Sequence, residues 1–332
     1  MKSKEDSLHL TLTDFTVFRK SHFDFVNGVN VLVGGNGTGK THALKALYLS
    51  VLHKVDKQQP AELIMGVFNV ENPDEVISFK GRRAILQGHW SGMNRTFRID
   101  VEENEISYMD DLSDWQDFPR PVFIPAQDMM SHTRRFLSTY QLYKIDFDQT
   151  QRDIVTLLLS PEARDEELTR GLRHSIESAI GGTILERNER FYLRSEDRET
   201  PMPMVAEGFR KLATLDQLVA NGFLKKGTML FWDEPEANLN PSMYPLVVSA
   251  LFEIASWGVQ VFVATHEYLI LKELELQRSG RSLRYHALEK TPEGVVVNRA
   301  DEYLDIQPNL IEEEFLSVYD RSVELDIMER AE

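Results

Sequence analysis

Gly34-Gly-Asn-Gly-Thr-Gly39-Lys40-Thr41 fills every fixed position of G-x-x-x-x-G-K-[ST], and no other stretch of the chain restricts its fold as strongly. At ordinary residue frequencies a chance match in 332 residues occurs roughly one time in a hundred. The context also fits. Val29-Asn-Val-Leu-Val33 is a nearly continuous apolar run, as expected of a central buried strand, and His42 to His53 carries helically spaced apolar residues. A strand, a glycine turn and a helix in this order cradle phosphate groups, because the turn's N–H groups and the helix N-terminus both face the anion. Gly34, Asn36, Gly37, Thr38, Gly39 and His42 are therefore expected to line the phosphates of a nucleotide. Lys40 should reach the β- and γ-phosphates, and the Thr41 hydroxyl should coordinate Mg²⁺.

A second apolar strand, Thr228-Met-Leu-Phe-Trp232, runs into Asp233-Glu234-Pro235-Glu236. An acidic turn by accident is the competing explanation in a chain with 53 acids. Beside a phosphate loop, however, the pair has a direct use: Asp233 would hold Mg²⁺ and Glu234 would act as general base on the attacking water. Thirty-three residues after Asp233, the strand Val259–Ala264 ends at Thr265-His266. Ligands of α/β proteins gather at the carboxyl ends of parallel strands, so His266 is expected near the γ-phosphate.

The remaining pattern supplies the frame. Leu8–Phe15 alternates as a half-buried strand does, and a further strand is expected at Phe23–Val26. Short strands at Val76–Lys80, Arg83–His89, Thr96–Val101 and Glu105–Met109 predict an antiparallel layer inserted after the first helix. Pro119 and Pro121 bracket the entry to Val122-Phe-Ile124. Residues Met129 to Ile180 read as helical, with a helix start at Pro161. A hairpin turning at Asn188-Glu189, a helix at Val205–Ala220, a helix at Met243–Ser256, a hairpin at Leu283–Asn298 and an acidic helical tail from Ile311 complete it. Strands alternating with helices predict a three-layer α/β core with a helical lobe.

Composition removes several chemistries. The absence of cysteine excludes disulfides, thiolate metal sites and thiol nucleophiles, and fits a reducing, cytoplasmic setting. A net charge of −16 argues against coating nucleic acid through overall charge. Met1 to Asp6 is charged and leads into no apolar signal stretch, and no apolar run is long enough to span a membrane.

Asp233-Glu-Pro-Glu-Ala-Asn-Leu-Asn-Pro241, with the phosphate loop before it and Ala264-Thr-His266 after it, resembles ABC-type ATPases of the branch that holds RecF, the SMC heads and the OLD-like ATPases. The resemblance runs to about residue 300. It implies a P-loop NTPase of ABC-ATPase type: a central, mainly parallel sheet with an antiparallel β insert and a helical lobe. Residues 1–332 would form one head, with parts at 1–127, 128–222, 223–300 and 301–332. It also implies ATP and Mg²⁺ as ligands and a D-loop at Asn238–Pro241. A glutamine watching Mg²⁺ and the water would fall on Gln127, with Asp128 as its alternative. The L-S-G-G-Q signature falls on Val205-Ala-Glu-Gly-Phe209, where Ala206 replaces the serine and Glu207 a glycine. Glu207 and Gly208 would then meet the γ-phosphate of a second subunit, with slow turnover as the consequence.

No long heptad arm is present, unlike an SMC protein, and only 66 residues follow His266, too few for an OLD nuclease domain. Chains of this pattern resemble ATPase components of bacterial anti-phage defence modules. The resemblance thus implies an ATP-dependent homodimer that gates a protein effector encoded nearby. The alternative is a RecF-like repair ATPase that binds DNA across its dimer. Its candidate basic residues are Arg82, Arg83, Arg134, Arg135, Arg187, Arg190, Arg194 and Arg198. The last four are interleaved with Glu186, Glu189, Glu196, Asp197 and Glu199, which favours a solvated mixed-charge face.

Overall fold

Leu8, Leu10, Leu12 and Phe15 are buried while the residues between them are partly exposed, so the first strand, β1 (Leu8–Phe15), lays one face on a core. It pairs antiparallel with β2 (Phe18–Phe25), which is longer than the sequence pattern suggested. Then come β3 (Val29–Val33), buried at every residue, α1 (Lys40–Val55) and α2 (Pro60–Phe68). The computed structural model describes residues 8–56, 58–78, 81–90, 95–110, 120–143, 145–163, 167–196 and 198–331. The expectations for Met1–Asp6, Lys80, Pro119 and Asp197 lie outside these residues.

Next follow β4 (Ala84–Trp90), β5 (Arg95–Glu102), β6 (Glu105–Asp110) and β7 (Val122–Ile124). The strand expected at Val76–Lys80 is not formed among the described residues. Pro73–Val76 is a 3₁₀ turn closed by a capping box of Asn72 and Glu75, and only Ile77 bridges to Phe15. The antiparallel sheet has the order β2-β1-β4-β5-β6, so the strands inserted after the first helices extend the N-terminal hairpin into one layer.

The helical stretch is broken into α3 (Phe136–Leu142), α4 (Gln149–Leu158) and α5 (Glu167–Ile180). Asp148 caps α4 by accepting from the Thr150 and Gln151 N–H groups, and Pro161 lies before the described start of α5 rather than in it. The hairpin of β8 (Thr183–Arg187) and β9 (Arg190–Arg194) turns at Asn188 and Glu189, both left-handed at φ 53° and 60°, and β10 (Glu199–Pro201) pairs with β9. The chain continues through α6 (Glu207–Ala220), β11 (Met229–Asp233), α7 (Tyr244–Ser256) and β12 (Gln260–Thr265). It ends in α8 (Tyr268–Gln277), β13 (Leu283–Thr291), β14 (Gly294–Ala300) and α9 (Leu310–Ala331). None of these helices is long and apolar enough to cross a membrane.

The central sheet has the order β14-β13-β3-β12-β11-β7, parallel except for β14. Its two faces sort residues by period two. Val29, Val31, Val33, Leu230, Trp232, Val261 and Val263 pack with the buried residues of α4–α8. Leu32, Phe231, Phe262 and Ala264 pack on the other face with α1, α2 and the antiparallel sheet. Register pairs Thr265 with Val33 and Asp233 with Ala264, which brings the carboxyl ends of β3, β11 and β12 to one edge.

Candidate functional site

Two glycines of the turn after β3, Gly34 and Gly39, stand where no side chain fits. Gly39, the N-cap of α1, is left-handed at φ 88°, and a Cβ there would lie 2.5 Å from Val17 and 2.8 Å from Phe18 at the β1–β2 turn. The antiparallel sheet thus presses directly on the loop. Thr38 Oγ1 donates to the Gly35 carbonyl at 2.9 Å, and Gly34 has no room for a Cβ beside the Leu288 carbonyl. No side chain caps α1, so its first N–H groups, at Lys40, Thr41 and His42, remain available to an anion. The His42 ring packs edge-on against Phe68, so what His42 offers a phosphate is its backbone N–H.

Lys40 is buried, and its Nζ donates to the carbonyls of Gly34 at 2.8 Å and Gly35 at 3.0 Å. Burial lowers its pKa, while Glu234, Asp233 and Glu236 pull it back up. Thr41 Oγ1 donates to Asp233 Oδ2 at 2.8 Å. The other oxygen, Asp233 Oδ1, is buried without a partner, and burial raises the pKa of this carboxyl. A hydroxyl and a desolvated carboxylate oxygen side by side are hard oxygen donors, the set that Mg²⁺ takes from a protein. The residues fit that ion.

Glu234 follows Asp233 with a left-handed backbone, φ 47°, a conformation that needs outside support in a non-glycine residue. Two bonds supply it. The Glu234 N–H donates to Ala264 at 2.9 Å, and Lys211 Nζ donates to the Glu234 carbonyl at 2.7 Å. His266 Nδ1 lies 3.2 Å from Glu234 Oε1 and 3.8 Å from Glu236 Oε1. Glu236 is buried, accepts from Thr265 Oγ1 at 2.6 Å and from the His266 N–H at 3.2 Å, and so fixes the strand end that carries His266. Burial raises the pKa of Glu236.

Lys40, Thr41, Asp233, Glu234 and His266 therefore converge from three separate stretches of chain. Gln127 is exposed and accepts from Gln151 Nε2 at 2.8 Å instead of contacting Thr41 or Asp233. Its alternative, Asp128, is buried and committed to Arg210 at 2.7 Å, Ser131 and the Met130 N–H. Glu207 and Gly208 open α6. A Cβ on Gly208 would lie 2.8 Å from the Asn238 carbonyl and 2.9 Å from Leu239 Cδ1, so Gly208 is packed against the Asn238–Leu239 turn of its own chain. Lys211 escaped the sequence reading. The available signal was its helical spacing with Leu215 and Leu218, and from Lys211 to Ala220 the helix is buried all round.

Residues 111–272 match a protein family described as "AAA domain, putative AbiEii toxin, Type IV TA system". The DNA replication and repair protein RecF of Renibacterium salmoninarum is 31% identical over 98 residues, 29% of this chain and 21% of that protein. The matched segment thus spans about a fifth of the relative's length. Among solved structures, an SMC head bound to the C-winged helix domain of ScpA superposes with a TM-score of 0.60 at 14% identity, covering 90% of this chain and 98% of the other. The SMC head domain of Thermotoga maritima gives 0.54 at 16% identity, covering 89% and 98%. The fold is that of these SMC head domains.

Proposed function

We propose that this chain binds ATP with Mg²⁺, hydrolyses it slowly, and works as a nucleotide-gated homodimeric switch on a partner protein in bacterial anti-phage defence. The observation that carries the chemistry is the hydrogen bond from Thr41 to Asp233 beside the contact of His266 with Glu234. Lys40 and the α1 N-terminus would hold the phosphates, and Thr41 and Asp233 would hold Mg²⁺, which supplies charge neutralisation at the phosphate oxygens. Glu234 would take the proton of the attacking water, and His266 would orient its carboxylate. The domain division at 127, 222 and 300 is part of the same proposal.

The gating reading rests on the start of α6. Ala206 is exposed at its N-cap and offers no side-chain cap, so backbone N–H groups and the helix dipole are what a second subunit's γ-phosphate would meet. Two likenesses support the biology: the matched family is described as a putative toxin of a toxin–antitoxin system, and the SMC head was solved with a protein partner. A RecF-like DNA grip is less well supported. Arg187 and Arg194 are paired with Glu199 at 2.5 and 3.3 Å, and Arg83 with Asp100 at 3.1 Å, which leaves these cations spoken for.

Light scattering on the Glu234→Gln protein tests the switch. ATP with Mg²⁺ should produce a dimer that ADP does not. An identical oligomer in ATP, ADP and buffer would replace the switch with a constitutive scaffold. Substituting Gly208 is unsuitable for this test, because the side chain would displace Asn238 and Leu239 within the same subunit.

A further inference from the structure

On the outer face of the antiparallel sheet, the register of β1 and β2 sets His9 opposite Asp24 and Thr11 opposite His22. His22 and Asp24 are two residues apart on β2, so all three of His9, His22 and Asp24 share one face. One nitrogen of each histidine and one oxygen of the aspartate lie within 4.8 Å of one another. Both His9 Nδ1 and His22 Nε2 point at the same atom, Asp24 Oδ1, the latter at 3.0 Å. Among the described residues, this is the cluster of three or more such side chains that could hold a metal ion.

We propose that His9, His22 and Asp24 form a binding site for a divalent transition-metal ion of the Zn²⁺ type, separate from the nucleotide site. Two imidazoles and a carboxylate are the donor set that such ions prefer, and three protein ligands leave a position for water. Zinc bonds of about 2.0–2.2 Å place tetrahedral ligands roughly 3.3 Å apart, and these donor atoms already lie within 4.8 Å of one another. The mouth is open to solvent, since the His9 and His22 side chains are 37% and 56% exposed.

The neighbours orient each donor. Thr11 Oγ1 lies 3.0 Å from His22 Nδ1 and can accept its N–H once a metal ion replaces the proton on Nε2 that now faces Asp24. Arg299, from β14, donates from Nη1 to Asp24 Oδ2 at 2.8 Å, which leaves Oδ1 for the metal. That guanidinium also offsets the carboxylate charge, so hard ions such as Mg²⁺, which depend on carboxylates, are disfavoured against ions that bind imidazole. Bound metal would cross-link β1 to β2 and, through Arg299, tie the antiparallel sheet to the edge strand of the central one.

The full chain, stripped with a chelator and kept in excess Mg²⁺ without nucleotide, is titrated with Zn²⁺ by calorimetry and with Co²⁺ by visible absorption. One equivalent per chain should bind, with a Co²⁺ spectrum that Zn²⁺ abolishes. His9→Ala and His22→Ala should each weaken binding at least about tenfold, and the double substitution should remove the Co²⁺ band. ATP affinity of the double variant reports that it has folded and is independent of the metal readout. No stoichiometric binding to the native chain, or equal binding by a folded double variant, would overturn the site.

Discussion

Lys211 Nζ sits 2.7 Å from the carbonyl oxygen of Glu234, so the helix that opens with Glu207 holds the backbone of the proposed general base. Lys211 is buried, and burial lowers its pKa, while Glu236, Glu207, Glu234 and Asp233 favour its charged form. Lys211→Met keeps the length and removes the donor. Hydrolysis should fall roughly 10- to 100-fold with ATP affinity nearly unchanged, because the displaced group is the base and not the phosphate cradle. Stability should drop by about 1–3 kcal/mol through the carbonyl left unpaired. Steady-state rates alongside nucleotide titration decide it, and a full-speed variant would remove Lys211 from the positioning of Glu234.

Glu234→Gln removes the proton acceptor but keeps the shape. Phosphate release should fall by about 10²–10⁴, while nucleotide binding stays. His266→Ala should lose less, since it orients the carboxylate from 3.2 Å and does not accept the proton. If His266→Ala were the slower of the two, the roles of these residues would have to be exchanged.

Asp233→Asn and Lys40→Ala separate the metal from the phosphates. The asparagine variant should bind nucleotide equally with and without Mg²⁺, having lost the carboxylate whose Oδ1 is buried and unpaired. The alanine variant should lose nucleotide in both conditions. A fluorescent ATP analogue titrated with Mg²⁺ and with chelator reads both. Retained Mg²⁺ dependence in Asp233→Asn would move the metal ligand elsewhere.

His286, paired with Leu32 just before the phosphate loop, carries a pH dependence of stability. It is fully buried between Phe23 and Phe25, neither ring nitrogen has a partner, and burial pushes its pKa down to about 3. The unfolded chain binds its proton near pH 6.5 while the folded chain resists it. The ring therefore adds no pH dependence above about pH 6.5, and stability is lost below it, by roughly 1.4 kcal/mol per pH unit down to about 3. Asp216, pushed up to about 6 by burial, acts in the opposite sense, so the difference between native and His286→Leu proteins isolates the histidine. Urea unfolding at pH 7.5 and 5 should show the variant gaining relative to the native chain at the lower pH. An equal difference at both would place the proton on the folded ring.

The phosphate loop, Asp233, Glu234 and His266 were legible because each stands at a strand end with a motif of fixed spacing. So was the alternation of strands and helices. Lys211 was not, since a lysine reads as a surface residue until its helical spacing with Leu215 is weighed. Gln127 was placed by family pattern alone, and in this structure its side-chain oxygen accepts from Gln151. The helix at Pro60–Phe68 carried its own signals, Pro60 at the first turn and Leu63, Ile64 and Val67 on one face, but it falls in a stretch with no motif to frame it. His9 and Asp24 meet only through strand register, which spacing along the chain does not reveal.

The order of the central sheet has a consequence for synthesis. β3 is an inner strand, yet both of its neighbours, β12 and β13, come from the last third of the chain. Asn30 bonds across to the Val261 carbonyl over a separation of 231 residues. As the chain leaves the ribosome, the Val29–Val33 strand is complete while both of its edges still lack partners. At roughly 5–20 residues per second, that interval lasts on the order of ten to fifty seconds. A bare strand, apolar except for Asn30, is the kind of segment that pairs with whatever it meets. The nascent chain therefore depends on shelter, from a chaperone or from early burial by α1 and the N-terminal hairpin, until the second half of its sheet arrives.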